Sequence, residues 1–163
     1  MTTIQYGLLI ALAIALIFAA VTDIQRRQID NWLNICIALG APAFWWASGL
    51  SLWPDLAWQI GFAVVITSLL MGILAIGYNT GILFIGGGDA KLLAALSLWL
   101  MPMNYLSFLI VMAMFGGLMA VGFIARRIVF KPKTHGRLPY GVAIAFGALW
   151  VLFPKLIAVP TFA

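Results

Sequence analysis

The sequence predicts an all-α polytopic membrane protein, a single bundle of about six transmembrane helices. Three observations carry this. Of the 163 residues, 65% are hydrophobic and 8% charged, and the mean hydropathy is +1.13. Apolar runs of about 20 residues, enough to cross a hydrocarbon core, recur between short polar breaks. The basic residues gather in alternate breaks. The length suits one bundle over residues 1–163, with no room for a separate soluble domain.

The first span runs from about Ile4 to Thr22 and stops at Asp23-Ile24-Gln25-Arg26-Arg27-Gln28-Ile29-Asp30-Asn31. Met1 to Gln5 holds no basic residue and no small-residue cleavage site follows, so this run reads as a retained span. The second span, about Trp32 to Leu50, contains Pro42, a candidate kink. Phe44-Trp45-Trp46 near its end looks like an aromatic belt at a membrane surface. Ser51 to Asp55 turns into a third span, about Leu56 to Ile76. The fourth, about Lys91 to Leu100, is short unless it begins earlier, which puts Asp89 at its mouth or in its first turn. A fifth span covers about Tyr105 to Ala125 and a sixth about Pro139 to Phe153.

Six spans alternate the loops between two faces. Arg26 and Arg27, Lys91, and the loop with Arg126, Arg127, Lys131, Lys133 and Arg137 all fall on one face. By the positive-inside rule that face is cytoplasmic and both termini are periplasmic. Eight of the nine basic residues agree, and Lys155 is the exception. The net charge of +5 is thus a topology signal rather than a sign of nucleic-acid binding, and the lipid bilayer is the expected surroundings. Asp23, Asp30 and Asp89 then share the cytoplasmic boundary, and Asp55 lies on the opposite face.

These four aspartates are the only acidic residues; there is no Glu. Cys36 and His135 each stand alone, which removes disulfides, thiolate clusters and a histidine-rich metal site, and no cofactor is called for. The stretch Gly86-Gly87-Gly88-Asp89 sets an acid behind three glycines in an otherwise apolar chain. An ionisable group at membrane depth costs about 3 kcal/mol or more unless compensated, and glycines let backbone approach closely. The pattern suggests that an extended peptide or a second carboxylate comes near Asp89. Two carboxylates at one membrane depth are the minimum kit of an aspartyl hydrolase: they share a proton and their pKa values split.

Structural roles compete with this. Asp23 precedes Arg26 and Arg27 at ion-pair spacing, Asp89 suits the N-cap of the fourth span, Asp30 suits the cap of the second, and Asp55 suits a turn. Lys91, two positions beyond Asp89, points elsewhere if both are helical. A Ser-His-Asp triad would have to use His135, which has no GxSxG elbow to serve. The glycine run lacks the GK[ST] ending of a phosphate loop.

Gly86-x-Gly88-Asp89, followed by Ala90-Lys91-Leu92-Leu93, resembles the GxGD motif of the type IV prepilin peptidases, bacterial inner-membrane aspartic proteases. Asp23 resembles the family's first catalytic aspartate, and Ile29-Asp30-Asn31 stands where that family has Ile-Pro-Asn. Leu138-Pro139-Tyr140-Gly141-Val142 resembles the stretch opening its last span. The resemblance implies Asp23 and Asp89 as catalytic residues, with Gly86, Gly87 and Gly88 beside extended substrate backbone. It implies a prepilin precursor as substrate, a basic leader followed by a hydrophobic helix, cut at the cytoplasmic face of the inner membrane. Longer members also methylate the new N-terminus through a region with cysteine pairs. With Cys36 alone and a short first loop, this chain resembles the compact enzymes of Flp-type pili and is expected to be a peptidase only. Two other readings use the same acids. A presenilin-like protease shares GxGD but sets its other aspartate mid-helix, and an ion-coupled carrier would show polar residues near the midplane, where spans one, two and five have almost none.

Overall fold

The computed structural model describes residues 2–81, 85–130 and 139–157, with side chains as far as Arg126 in the fifth helix. Among these residues six α-helices form: α1 (Thr3–Arg26), α2 (Asn31–Ala47), α3 (Ala57–Thr80), α4 (Gly87–Trp99), α5 (Pro102–Phe130) and α6 (Tyr140–Ile157). A π-helical turn, Leu52–Leu56, leads into α3. The expected all-α bundle is thus present. The basic loop expected over residues 126–137 and Leu138 lie largely outside the described residues.

Local chemistry sets several helix ends. Thr2 and Gln5 form a reciprocal cap on α1: Gln5 N–H donates to Thr2 Oγ1 at 3.3 Å and Thr2 N–H to Gln5 Oε1 at 2.7 Å. Pro102 opens α5, where its missing N–H costs nothing. Gly81, at φ 72°, ends α3 in the left-handed conformation.

Four segments are long and apolar enough to cross a bilayer: Thr3–Arg26, Leu52–Thr80, Pro102–Arg126 and Tyr140–Ile157. The other two helices are shorter, 17 residues in α2 and 13 in α4. At about 1.5 Å per residue they reach about 26 and 20 Å, against about 30 Å of hydrocarbon. The reason in α4 is its position. It packs against α2, α3, α5 and α6, and Ala90, Leu92, Leu93, Ala95, Leu96, Ser97 and Trp99 are buried. Protein rather than lipid surrounds it, so the bilayer does not dictate its length.

The last carbonyls of a helix lack intrahelical partners, and inside a bilayer no water replaces them. Side chains of neighbouring helices do so here. Trp45 Nε1 donates to Leu98 O at 2.9 Å, and Gln59 Nε2 to Ser97 O at 2.8 Å and Leu100 O at 3.0 Å. On the outside the chain is apolar: Ile14, Leu39, Val65, Met114 and Leu118 are all more than half exposed. An apolar surface this continuous is a liability in water and the natural surface in lipid. The protein is a polytopic membrane protein.

The helices alternate in direction. Gln5 Nε2 donates to Ala47 O at 3.1 Å and Tyr6 OH to Leu156 O at 3.0 Å. The start of α1 therefore meets the ends of α2 and α6. Asp55 lies at the end of α2 and start of α3, where Ser51 Oγ donates to its carboxylate at 2.9 Å, the turn role expected of it. The opposite end of the bundle gathers the end of α1 and the starts of α2, α4 and α6.

Candidate active site

At that opposite end, α1 runs a turn further than the sequence suggests, so Asp23 lies inside its last turn and is 6% exposed. Arg27 closes the helix at φ 54°, with its N–H donating to Asp23 O at 2.9 Å. A short extended loop through Ile29 and Asp30 then enters α2. The start of α4 is clamped to this loop. A Cβ on Gly88 would stand 3.2 Å from both Cβ and the carbonyl oxygen of Ile29, so the two backbones touch as closely as a glycine allows. Asn34 Nδ2 donates to Gly88 O at 3.4 Å, and Lys91 Nζ to Asn31 Oδ1 at 2.8 Å.

The clamp brings the two acids together. Asp23 and Asp89 line one cavity of ≈ 380 Å³, with Gly86, Gly87, Gly88, Asp30 and Arg27 also in its wall. The Asp23 side chain, though carried on the last turn of α1, meets the N-terminus of α6, and Asp89 lies in the first turn of α4; free N–H groups and the helix dipole favour negative charge at both places. Gly141 N–H, at the start of α6, donates to Asp23 Oδ2 at 2.7 Å, and Val142 N–H also points to this carboxylate. Asp89 occupies the first turn of α4, outside the four long spans, with its Oδ2 folded back over Gly86. Burial, and next the neighbouring Asp23 carboxylate, push Asp89 up from 3.8 to about 6, with Gly86 N–H countering part of this. Burial and the neighbouring carboxylate thus keep Asp89 protonated up to about that pH, so the two acids do not readily ionise together.

All five residues singled out from the sequence, Asp23, Asp89, Gly86, Gly87 and Gly88, therefore meet at one place. The competing structural roles fare differently. The N-cap of α4 is Gly86, not Asp89. Asp30 holds the N-cap position of α2, but its side chain makes no capping hydrogen bond; its carbonyl accepts from Leu33 and Asn34 instead. Its carboxyl is left to the cavity. Lys91 turns away from Asp89 toward Asn31, as helical spacing requires.

The glycines differ in what they do. Gly86 has φ −68° and ψ 143°, a conformation open to any residue. Its requirement is space: a Cβ there would stand 2.7 Å from Asp89 Oδ2. Gly87 has room, with only Tyr78 OH at 3.9 Å. Gly86→Ala is expected to rotate the Asp89 carboxylate out of place and lower activity by about tenfold or more, while Gly87→Ala, whose added methyl does not meet the Asp89 carboxylate, loses less. Comparable activity of the two variants, measured at equal membrane abundance, would remove this role for Gly86.

Gly141 and the α6 backbone donors were not assigned a role by reading residues. Pro139 marks a helix start, but nothing local says that the start faces Asp23. A Cβ on Gly141 would stand 2.8 Å from Asp23 Oδ2 and 3.0 Å from its Cβ and Cγ, so the carboxylate fills the space where a side chain would be. Among the described residues no group of three or more His, Cys, Asp or Glu is arranged to hold a metal ion.

The family model of the type IV leader peptidases matches residues 10–121. No curated protein and no solved structure matches the chain. The matched region runs from α1 into α5 and contains Asp23, Asp30, Asp89 and the three glycines before Asp89. It covers more than half of the sequence, and with the membrane bundle built around these residues it places the chain in the type IV leader peptidase family.

Proposed function

We propose that the protein is an aspartic endopeptidase that removes the basic leader from Flp-type prepilins and does not methylate the new N-terminus. The observation that carries this is the meeting of Asp23 and Asp89 in one polar cavity at the end of a membrane bundle. Membership of a leader peptidase family supports a prepilin-type substrate. In this reading residues 1–163 act as one peptidase unit in the bacterial inner membrane, with the cavity toward the cytoplasm and both termini periplasmic. The positions of the basic residues support that orientation.

The chemistry follows from the shared proton. Extended substrate lies along Gly86, Gly87 and Gly88 with its scissile carbonyl between the carboxyls. The ionised member of the pair takes a proton from water as the oxygen attacks the carbonyl carbon. The protonated member donates to the carbonyl oxygen. Collapse of the tetrahedral intermediate breaks the C–N bond, and a carboxyl returns a proton to the leaving amine. The roles belong to the pair, and neither residue is acid or base by itself.

The test is co-expression with a Flp-type prepilin and analysis of the product's N-terminus. A cleaved chain with a free, unmethylated amine is expected. An uncut precursor or a methylated amine would overturn the reading. The pH profile adds a second check. Because Asp89 is raised to about 6, the pair keeps its proton below that pH and loses it above. Cleavage by purified protein should therefore fall as pH rises beyond this range, and a profile flat from 5 to 8 would contradict a shared proton.

A further inference from the structure

The cavity that holds the two acids adjoins a second space. Asn31 lines both, and on its other side a groove of ≈ 520 Å³ opens between α2, α3 and α4. Ile35, Ala38, Met71 and Leu98 give that groove a mainly apolar wall. Asn34 interrupts it. This side chain is 5% exposed, and its Nδ2 donates to Gly88 O, but its Oδ1 is buried without any partner. Exchanging the two ends of the amide would set Oδ1 against the Gly88 carbonyl, acceptor to acceptor, so the orientation is fixed. A buried acceptor left unpaired costs about 1–3 kcal/mol.

We infer that this groove seats the apolar segment of the polypeptide that the carboxylates cut, and that the entering chain uncovers the buried Asn34 Oδ1 and donates a hydrogen bond to it. The inference rests on the peptidase reading and adds to it the path of the substrate. Two observations select a polypeptide over a lipid tail. The groove is continuous with the acidic cavity through Asn31, so a chain polar at one end and apolar at the other fills both at once. An acyl chain carries no donor for Asn34, whereas the first turn of a helix has unpaired N–H groups. Asn34 is a positioning residue in this scheme: its other end holds the carbonyl of Gly88, next to Asp89.

Disulfide trapping tests the path on the full-length protein in membranes. The exposed Cys36 is first replaced by serine, and Asp89→Asn keeps bound substrate uncut. Single cysteines replace Ala38 and Met71 in the groove, or Val65, an exposed α3 residue that does not line it. Each is paired with single cysteines along the start of the prepilin's apolar segment. Cross-links from positions 38 and 71, and none from 65, are expected; equal trapping at all three, or none at 38 and 71, overturns the inference.

Kinetics supply an independent reading. Ala38→Trp and Asn34→Leu should each lower the kcat/KM ratio of full-length prepilin to a short peptide lacking the apolar segment by about tenfold. An unchanged ratio would reduce Asn34 to a brace for Gly88 and leave the groove to lipid. The two levels fail separately. Cleavage by Asp23→Asn or Asp89→Asn protein sinks the peptidase mechanism itself, whereas inactive aspartate variants with an unchanged substrate ratio sink only the groove.

Discussion

Asp23→Asn and Asp89→Asn are each expected to lower cleavage of a Flp-type prepilin by about a thousandfold or more, while Asp30→Asn stays within a few fold. Asparagine matches aspartate in shape, so the fold has little reason to respond. At position 23 the amide oxygen can still accept from Gly141 N–H, which now holds the carboxylate at 2.7 Å. What disappears is the proton shared between two acids, and with it both the base for water and the donor to the carbonyl. Asp30 lines the same cavity but ends no such pair: it sits at the start of α2 with its carbonyl, not its carboxyl, engaged. The measurement is precursor-to-product conversion at matched membrane abundance. Retained cleavage in either of the first two variants would refute the pair as assigned, and loss with Asp30→Asn would bring the third carboxylate into the mechanism.

Gly141→Ala is expected to reduce cleavage by about a hundredfold, although position 141 lies outside the region matched by the family model. The added methyl would stand 2.8–3.0 Å from Asp23 Oδ2, Cβ and Cγ, well inside van der Waals contact. Either the carboxylate turns away from the cavity or the start of α6 withdraws. Both outcomes break the hydrogen bond from Gly141 N–H and disturb the spacing of the two acids. Overpacking of this kind typically costs about 1–3 kcal/mol, so a thermal unfolding measurement should accompany the assay. Full activity in Gly141→Ala would mean that α6 plays no part in holding Asp23. In that case the resemblance of Pro139-Tyr140-Gly141 to the family's last span would carry no mechanistic weight.

These two cases mark where reading the chain succeeds and stops. The apolar runs marked the four long helices because the bilayer imposes a length and a composition that any window of sequence displays, whereas α2 and α4 fall short of that length. Asp89 stood out because an acid behind three glycines is conspicuous in a chain with only four acidic residues. Helix ends were less legible. Thr22 looked like the end of the first span, yet the helix continues through Asp23 to Arg26. Polar residues can extend a transmembrane helix into the headgroup region, so the end of hydrophobicity is not the end of the hydrogen-bond ladder.

By itself, then, the sequence determined the class of the protein, its helix order, the candidate acids and the end of the bundle at which they gather. Each of these follows from local composition or from charge counted loop by loop. Tertiary structure alone decided that Asp23 and Asp89 share a cavity although α2 and α3 intervene. It also decided that Gly86 is needed for room rather than conformation, that α6 donates backbone N–H groups to Asp23, and that Asn34 keeps an unpaired oxygen beside an apolar groove. The physical reason is the same in each case. These are contacts between residues far apart in the chain, set by how the faces of different helices pack, and no local pattern of residues records which face meets which.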